Sequence, residues 1–223
     1  MPLNKTKGNM YDWITHTWNT VKGKCPHGCS YCYMKKWGKQ PEVRFDEKEL
    51  KTDLGKNNTV FVGSSCDLFA DGIPFKWILD TLQYCNDFPH NRYLFQSKNP
   101  RGMYSFSHLL PINSIVGTTI ESSDSNENMG CTPTPESRSS YMVLLRNSNF
   151  LTMVTIEPIM EFDLERMIPM IQRIKPRWVN IGANTNTKVK LTEPSPEKVK
   201  ELIAELEKFT EVKIKKNLYR LIK

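Results

Sequence analysis

At 223 residues the chain is long enough for one substantial core, and a single domain is the simplest reading of that length. It holds no run of eighteen apolar residues and no basic, apolar, small-residue order at its start, so a spanning helix and a secretory signal are not expected, and a cytoplasmic protein without a membrane partner is. The formal charge of +7 suggests an anionic partner such as nucleic acid, although solvated lysines account for it equally.

Residues 1–11 carry Pro2, Asn4, Lys5, Lys7 and Gly8 and read as a loosely held leader to a domain spanning 12–223. The β-branched and aromatic run 14–21 predicts the first strand, which delivers the chain to Cys25-Pro26-His27-Gly28-Cys29-Ser30-Tyr31-Cys32-Tyr33. A helix is expected over 30–37 and is broken at 38–41. A second is expected from a capping Asp46 through Leu54. Apolar strand-like runs then appear at 59–62, 92–96, 114–119, 150–156 and 178–181, and amphipathic helical stretches at 74–87, 135–147, 163–174 and 196–209. Six strands with intervening helices predict an α/β fold with a parallel sheet and right-handed crossovers. The one long loop, 121–134, is rich in Ser and Asn and reads either as a lid or as a disordered segment.

Three thiols at this spacing do not complete a tetrahedral zinc site unless His27 or His16 supplies a fourth ligand. A [4Fe-4S] cluster held by three thiolates instead leaves one iron open to a further ligand. Cys66, Cys85 and Cys131 lack the spacing of a disulfide framework, in keeping with a reducing compartment. Lys22, Lys24, Lys35, Lys36 and Lys39 bracket the cysteines, and Lys213, Lys215, Lys216, Arg220 and Lys223 make a basic C-terminus. Both read as a phosphate-facing rim or as solvated lysines.

The cysteine spacing, with Tyr31 just before the last cysteine, resembles the radical S-adenosylmethionine (radical SAM) superfamily. The resemblance implies an open, partial (β/α)6 TIM-like barrel with outer helices. It implies that Cys25, Cys29 and Cys32 hold a [4Fe-4S] cluster whose open iron chelates the methionine end of SAM. An electron from an external donor then cleaves SAM to a 5'-deoxyadenosyl radical, which abstracts hydrogen from a substrate. Two narrower likenesses accompany it. Trp18-Asn19-Thr20 and Ser97-Lys98-Asn99-Pro100 are close variants of segments in a phage- and plasmid-borne radical SAM set, and a lysine after the third strand is similar to the spore photoproduct lyase family.

In such barrels the residues that follow each strand build the active site. After the second strand, Ser64, Ser65 and Asp67 stand where the family carries Gly-Gly-Glu. They are candidates for the amino group of SAM, or a serine-rich turn with a capping Asp. After the third, Ser97 and Lys98 are candidates for its carboxylate, Lys98 also reading as a surface lysine. After the fourth, Thr118 and Glu121 offer a hydroxyl and a carboxylate to ribose. After the fifth, Glu157 is a candidate contact to substrate or SAM, or a helix cap. Asn184 replaces an acid after the sixth. Cys66 reads as a packed thiol or as a hydrogen donor to a product radical. The leading expectation is a radical SAM enzyme acting on a nucleotide or nucleic acid, with a partner protein conceivable for recognition. The alternatives are an iron-sulfur electron carrier or scaffold, a zinc-stabilised nucleic-acid-binding domain, and radical chemistry on a peptide or small metabolite.

Overall fold

The computed structural model describes residues 3–6 and 10–223. Of the expected leader, residues 1, 2 and 7–9 lie outside that description, while Asn4–Lys5 (β1) pairs antiparallel with His16–Trp18 (β2). Next comes Val21–Lys22 (β3), paired antiparallel with Arg44–Phe45 (β4). The main sheet continues through Thr59–Val62 (β5), Arg92–Gln96 (β6), Ser114–Thr119 (β7), Leu151–Ile156 (β8), Trp178–Ile181 (β9) and Glu211–Ile214 (β10). It is eight-stranded in the order β1-β2-β5-β6-β7-β8-β9-β10, and every pairing after β1 is parallel. Neighbours in the sheet are neighbours in the chain, and the first and last strands do not pair: an open, partial (β/α) barrel.

Alternation along the strands divides two apolar layers. Val60, Val62, Tyr93, Phe95, Val116, Val154, Ile156, Val179 and Ile181 face outward into the main core. There they meet the helices Phe75–Asn86 (α1), Pro100–Ser105 (α2), Pro135–Asn147 (α3), Leu164–Ile174 (α4) and Pro196–Glu207 (α5). Leu94, Ile115, Met153 and Trp178 face the concave side, where Tyr11 and Ile14 pack with them. Trp13 meets Trp178 edge-on at 5.2 Å between ring centroids, so the segment before β2 reaches across the opening to β9.

The strands expected at 59–62, 92–96, 114–119 and 178–181 form over those residues. Two expected α-helices differ. The segments after the cysteines and after Asp46 are short 3-10 helices, Tyr33–Trp37 and Glu47–Lys51. The first buries no residue and ends at Gly38, so no apolar face holds it in longer α form. The sheet also carries two strands beyond the six expected, β1 from the expected leader at one edge and β10 at the other. β10 is an edge strand of mixed burial, and its Glu-Val-Lys-Ile composition reads as a basic tail.

Candidate active site

The cysteines leave from a two-stranded base. β3 and β4 close an excursion over residues 23–43, and Lys22 anchors it through Asp46 at 2.7 Å and Glu49 at 2.6 Å. This excursion follows β2, at the same end of the sheet as Ser64 and Asp67 after β5, Lys98 after β6, Glu121 after β7 and Glu157 after β8. A cleft of about 530 Å³ lies at the opposite end, lined by Leu151, Thr152, Arg177 and Glu211 at the starts of their strands, away from all of these groups.

Two elements grip the cysteine loop. The first is the loop expected to be a lid or disordered, which is ordered and clamps it. Ser30 donates from its backbone to the Asn128 carbonyl at 2.9 Å and from its hydroxyl to the Asn128 side chain at 2.6 Å. Cys29 Sγ donates to the Met129 carbonyl at 3.2 Å, and the Cys131 N–H donates to the His27 carbonyl at 2.8 Å. Gly130, at φ +63°, passes so close that a Cβ there would stand 2.1 Å from the His27 oxygen. The second is Asp67. Its Oδ2 accepts from His27 Nε2 at 2.8 Å, from the Ser97 hydroxyl at 3.0 Å and from the Lys98 backbone at 2.8 Å, and its Oδ1 accepts from the Phe69 backbone at 3.0 Å. A carboxylate offers about four acceptor sites, so Asp67 is spent on ordering the mouth. Burial alone would raise its carboxyl, but His27, Ser97 and the Lys98 amide hold it below the usual carboxylate range.

Beside the thiols lies a buried charged cluster. Glu121 and Arg138 are both 0% exposed and paired at 2.6 Å, and the other oxygen of Glu121 receives the Lys98 ammonium and the Tyr31 hydroxyl. Lys98 also donates to the Tyr31 hydroxyl at 3.1 Å and lies 5.0 Å from the Tyr31 ring centroid. Burial would lift the Glu121 carboxyl, yet Arg138 and Lys98 hold it well below the usual range. Two cations thus face one anion, and the cluster carries an excess positive charge. Lys98 spends two of its three protons inside it.

The remaining predicted residues divide. Thr118 donates to the Ser97 carbonyl at 2.8 Å, and the Ser64 hydroxyl and Ser65 amide both bond Asn19 Oδ1, so these three shape strand ends. Glu157 pairs with Lys215 at 2.7 Å and accepts from Asn217 at 3.1 Å. A Cβ at Gly182 would stand 2.7 Å from its Oε1, so glycine there leaves room for the carboxylate. Asn184 bonds the backbone of its own loop at Asn186 and Val189. Cys66 is 2% exposed within the main core, with its thiol against Cys25. The hydrogen bond between them and burial push the Cys66 thiol up.

Sequence reasoning missed Arg138, Asn128, Lys215 and Asn217 as members of the mouth. A signal for Arg138 existed, because 135, 138, 142 and 145 form the buried stripe of α3 and place an arginine on its apolar face. Asn217 follows β10, the strand the composition concealed.

A [4Fe-4S] cluster fits the donor set. Among the described residues no three His, Cys, Asp or Glu groups converge where one ion would sit, whereas a cluster takes each thiolate on a different iron. His27 is bound to Asp67 through Nε2, and His16 lies on β2 before the mouth, bonded through Nδ1 to Thr15, so neither is placed to complete a zinc site. Tyr31, Met129, Met160 and Leu191 pack with Cys29 and Cys32 in a separate apolar cluster, which buries Cys29 and leaves Cys25 and Cys32 half-buried.

Residues 9–195 match the family described as "Protein of unknown function (DUF5131)". No curated protein matches the sequence. Among solved structures the fold is similar to spore photoproduct lyase with bound AdoMet and dinucleoside spore photoproduct. That likeness has a TM-score of 0.64 at 9% identity and covers 96% of this chain and 80% of that one. It is also similar to Streptococcus suis SuiB bound to precursor peptide SuiA, with a TM-score of 0.66 at 10% identity over 89% of this chain and 48% of that one. At such identities the likeness shows the fold alone.

Proposed function

The chain belongs to the DUF5131 family, and for this member we propose a radical SAM enzyme whose active centre is the mouth around Cys25, Cys29 and Cys32. The observation that carries the reading is the convergence, at one end of the sheet, of a gripped three-thiol loop with a lysine-bearing cluster of excess positive charge. When bound, a [4Fe-4S] cluster and SAM supply an electron and a 5'-deoxyadenosyl radical for hydrogen abstraction. The chain's own part is to hold and orient them.

Cys25, Cys29 and Cys32 are the cluster ligands. Lys98 presents its remaining ammonium proton to the carboxylate of SAM, while Glu121 and Tyr31 fix its direction. Asp67 does not itself bind the amino group in this reading. It positions the Lys98 backbone and the His27 loop, and the strand end at Ser64 and Ser65 would be left to receive the amino group of SAM. Glu157, held by Lys215 and Asn217, faces the substrate side. A nucleotide or nucleic acid is the substrate class supported by the basic balance and by the dinucleoside in the similar lyase structure.

Anaerobic reconstitution with iron and sulfide, followed by dithionite, SAM and chromatographic detection of 5'-deoxyadenosine, tests the reading. The expected result is a brown protein that forms 5'-deoxyadenosine. A cluster whose spectrum ignores SAM, with no 5'-deoxyadenosine formed, would instead make the chain an electron carrier.

A further inference from the structure

Reductive cleavage of SAM consumes one electron, and the excursion that carries the thiols also carries an exposed aromatic and basic surface, tied to the strand end after β5 where the Tyr33 hydroxyl donates to the Ser64 carbonyl at 2.7 Å. Its 3-10 helix Tyr33–Trp37 starts directly after Cys32 and buries none of its residues. Trp37 is 79% exposed and Tyr33 43%. Around them Lys24, Lys36 and Lys39 are exposed and have no acidic partner among the described residues. Elsewhere Lys22, Lys76, Lys98, Lys198, Lys208, Lys213 and Lys215 are ion-paired, while Lys56, Lys175 and Lys190 are exposed and unpaired like these three; what sets Lys24, Lys36 and Lys39 apart is that they share one short excursion with the exposed Trp37. Lys35 is tied to the cysteine loop itself, donating to the Gly28 carbonyl at 3.0 Å. The five residues of this helix rise about 2.0 Å each, which places Trp37 roughly 10 Å along the axis from Cys32.

Resting on the function proposed above, we infer that this strip is the docking face for a small acidic one-electron carrier protein. A large exposed aromatic makes a central anchor, and unpaired lysines around it steer an acidic partner and set its orientation. The path is short because anchor and thiols share one segment. One electron leaves the carrier, which is oxidised by one equivalent, and reduces the cluster by one equivalent. A single nucleic-acid strand would also answer to aromatic and lysine side chains. The carrier is favoured because the strip belongs to the outer part of the cysteine excursion, whereas Gln96, Thr119 and Glu157 face the substrate side.

The test compares two reductants on reconstituted full-length protein. Dithionite is small and needs no docking face. Reduced flavodoxin is the protein probe. Lys36→Glu/Lys39→Glu and, separately, Trp37→Ala alter side chains that hold nothing else in place. We expect flavodoxin-driven cluster reduction by the charge variant to slow about ten- to a hundredfold at low ionic strength, converging on wild type at high salt. Trp37→Ala should slow at all salt concentrations, and dithionite-driven 5'-deoxyadenosine formation should stay at wild-type level in both. Wild-type flavodoxin rates in both variants would overturn the docking face and leave the proposed function standing. Loss of binding to a fluorescent single-stranded oligonucleotide, with flavodoxin rates intact, would overturn it in favour of nucleic acid. A wild-type protein that forms no 5'-deoxyadenosine even with dithionite would remove the enzymatic reading and the docking face together.

Discussion

Replacing Glu121 by Gln removes one charge from a carboxylate closed to bulk solvent, with little change of side-chain shape. Glu121 and Arg138 are both fully buried at 2.6 Å, so the variant leaves a guanidinium facing a neutral amide and leaves the Lys98 ammonium without its counter-charge. Removing one partner of a buried pair costs about 3–5 kcal/mol. Arg138 keeps its bonds to the Pro133 and Thr119 carbonyls and the Thr132 hydroxyl, which places the loss near the low end, about 3 kcal/mol. Urea unfolding of the cluster-free protein at neutral pH reads this as a lower midpoint with an unchanged slope. The pH dependence has a definite sign. The folded carboxyl lies below its ordinary 4.5, so its contribution is complete above that value and is lost as pH falls through the folded pKa. The gap between wild type and variant should be flat at neutral pH and close below about pH 4.5, by about 1.4 kcal/mol per pH unit. Equal stability at neutral pH, or a gap that widens toward acid, would refute the argument.

Cys25→Ala, Cys29→Ala and Cys32→Ala should each abolish a stable [4Fe-4S] spectrum after reconstitution, while Cys85→Ala, at a thiol buried in the core away from the mouth, should retain it; iron and sulfide content decide both. Lys98→Ala should weaken SAM binding by roughly ten- to a hundredfold while sparing the cluster, measured by calorimetry on the reconstituted protein, since a charge-assisted contact is worth about 1.5–3 kcal/mol. Gly130→Ala should lower cluster loading more than global stability, because a Cβ there drives the His27 carbonyl out of place and the left-handed backbone costs about 1–2 kcal/mol more. Normal loading with an unchanged iron count would show that the clamp is dispensable.

Most of the frame was legible because buried strands announce themselves. Five runs of apolar, β-branched residues mark β5 to β9, and Pro at the first turn marks α3 and α5. β10 was hidden because an edge strand against one neighbour needs only partial burial, so lysines and glutamate interrupt its pattern. The cysteine loop was legible as a spacing, but its clamp was not. Asn128 and Gly130 lie about a hundred residues away in a polar segment whose composition fits a solvated loop as well as a ligand cradle. Asp67 and Lys98 were found as charged groups at strand ends. Which of them keeps capacity for a ligand depends on partners such as His27 and Arg138, and a one-dimensional pattern does not pair them.

The separation between Ser30 and Asn128, 98 positions, also sets a schedule for assembly. At a synthesis rate of about 5–20 residues per second, the three thiols leave the ribosome roughly 5–20 s before the segment that clamps them exists. Throughout that interval the nascent chain presents three closely spaced and unrestrained cysteines. On the proposed function, delivery of iron and sulfide therefore belongs after β7 and its following loop have joined the sheet, when Asn128 and Met129 can hold the loop.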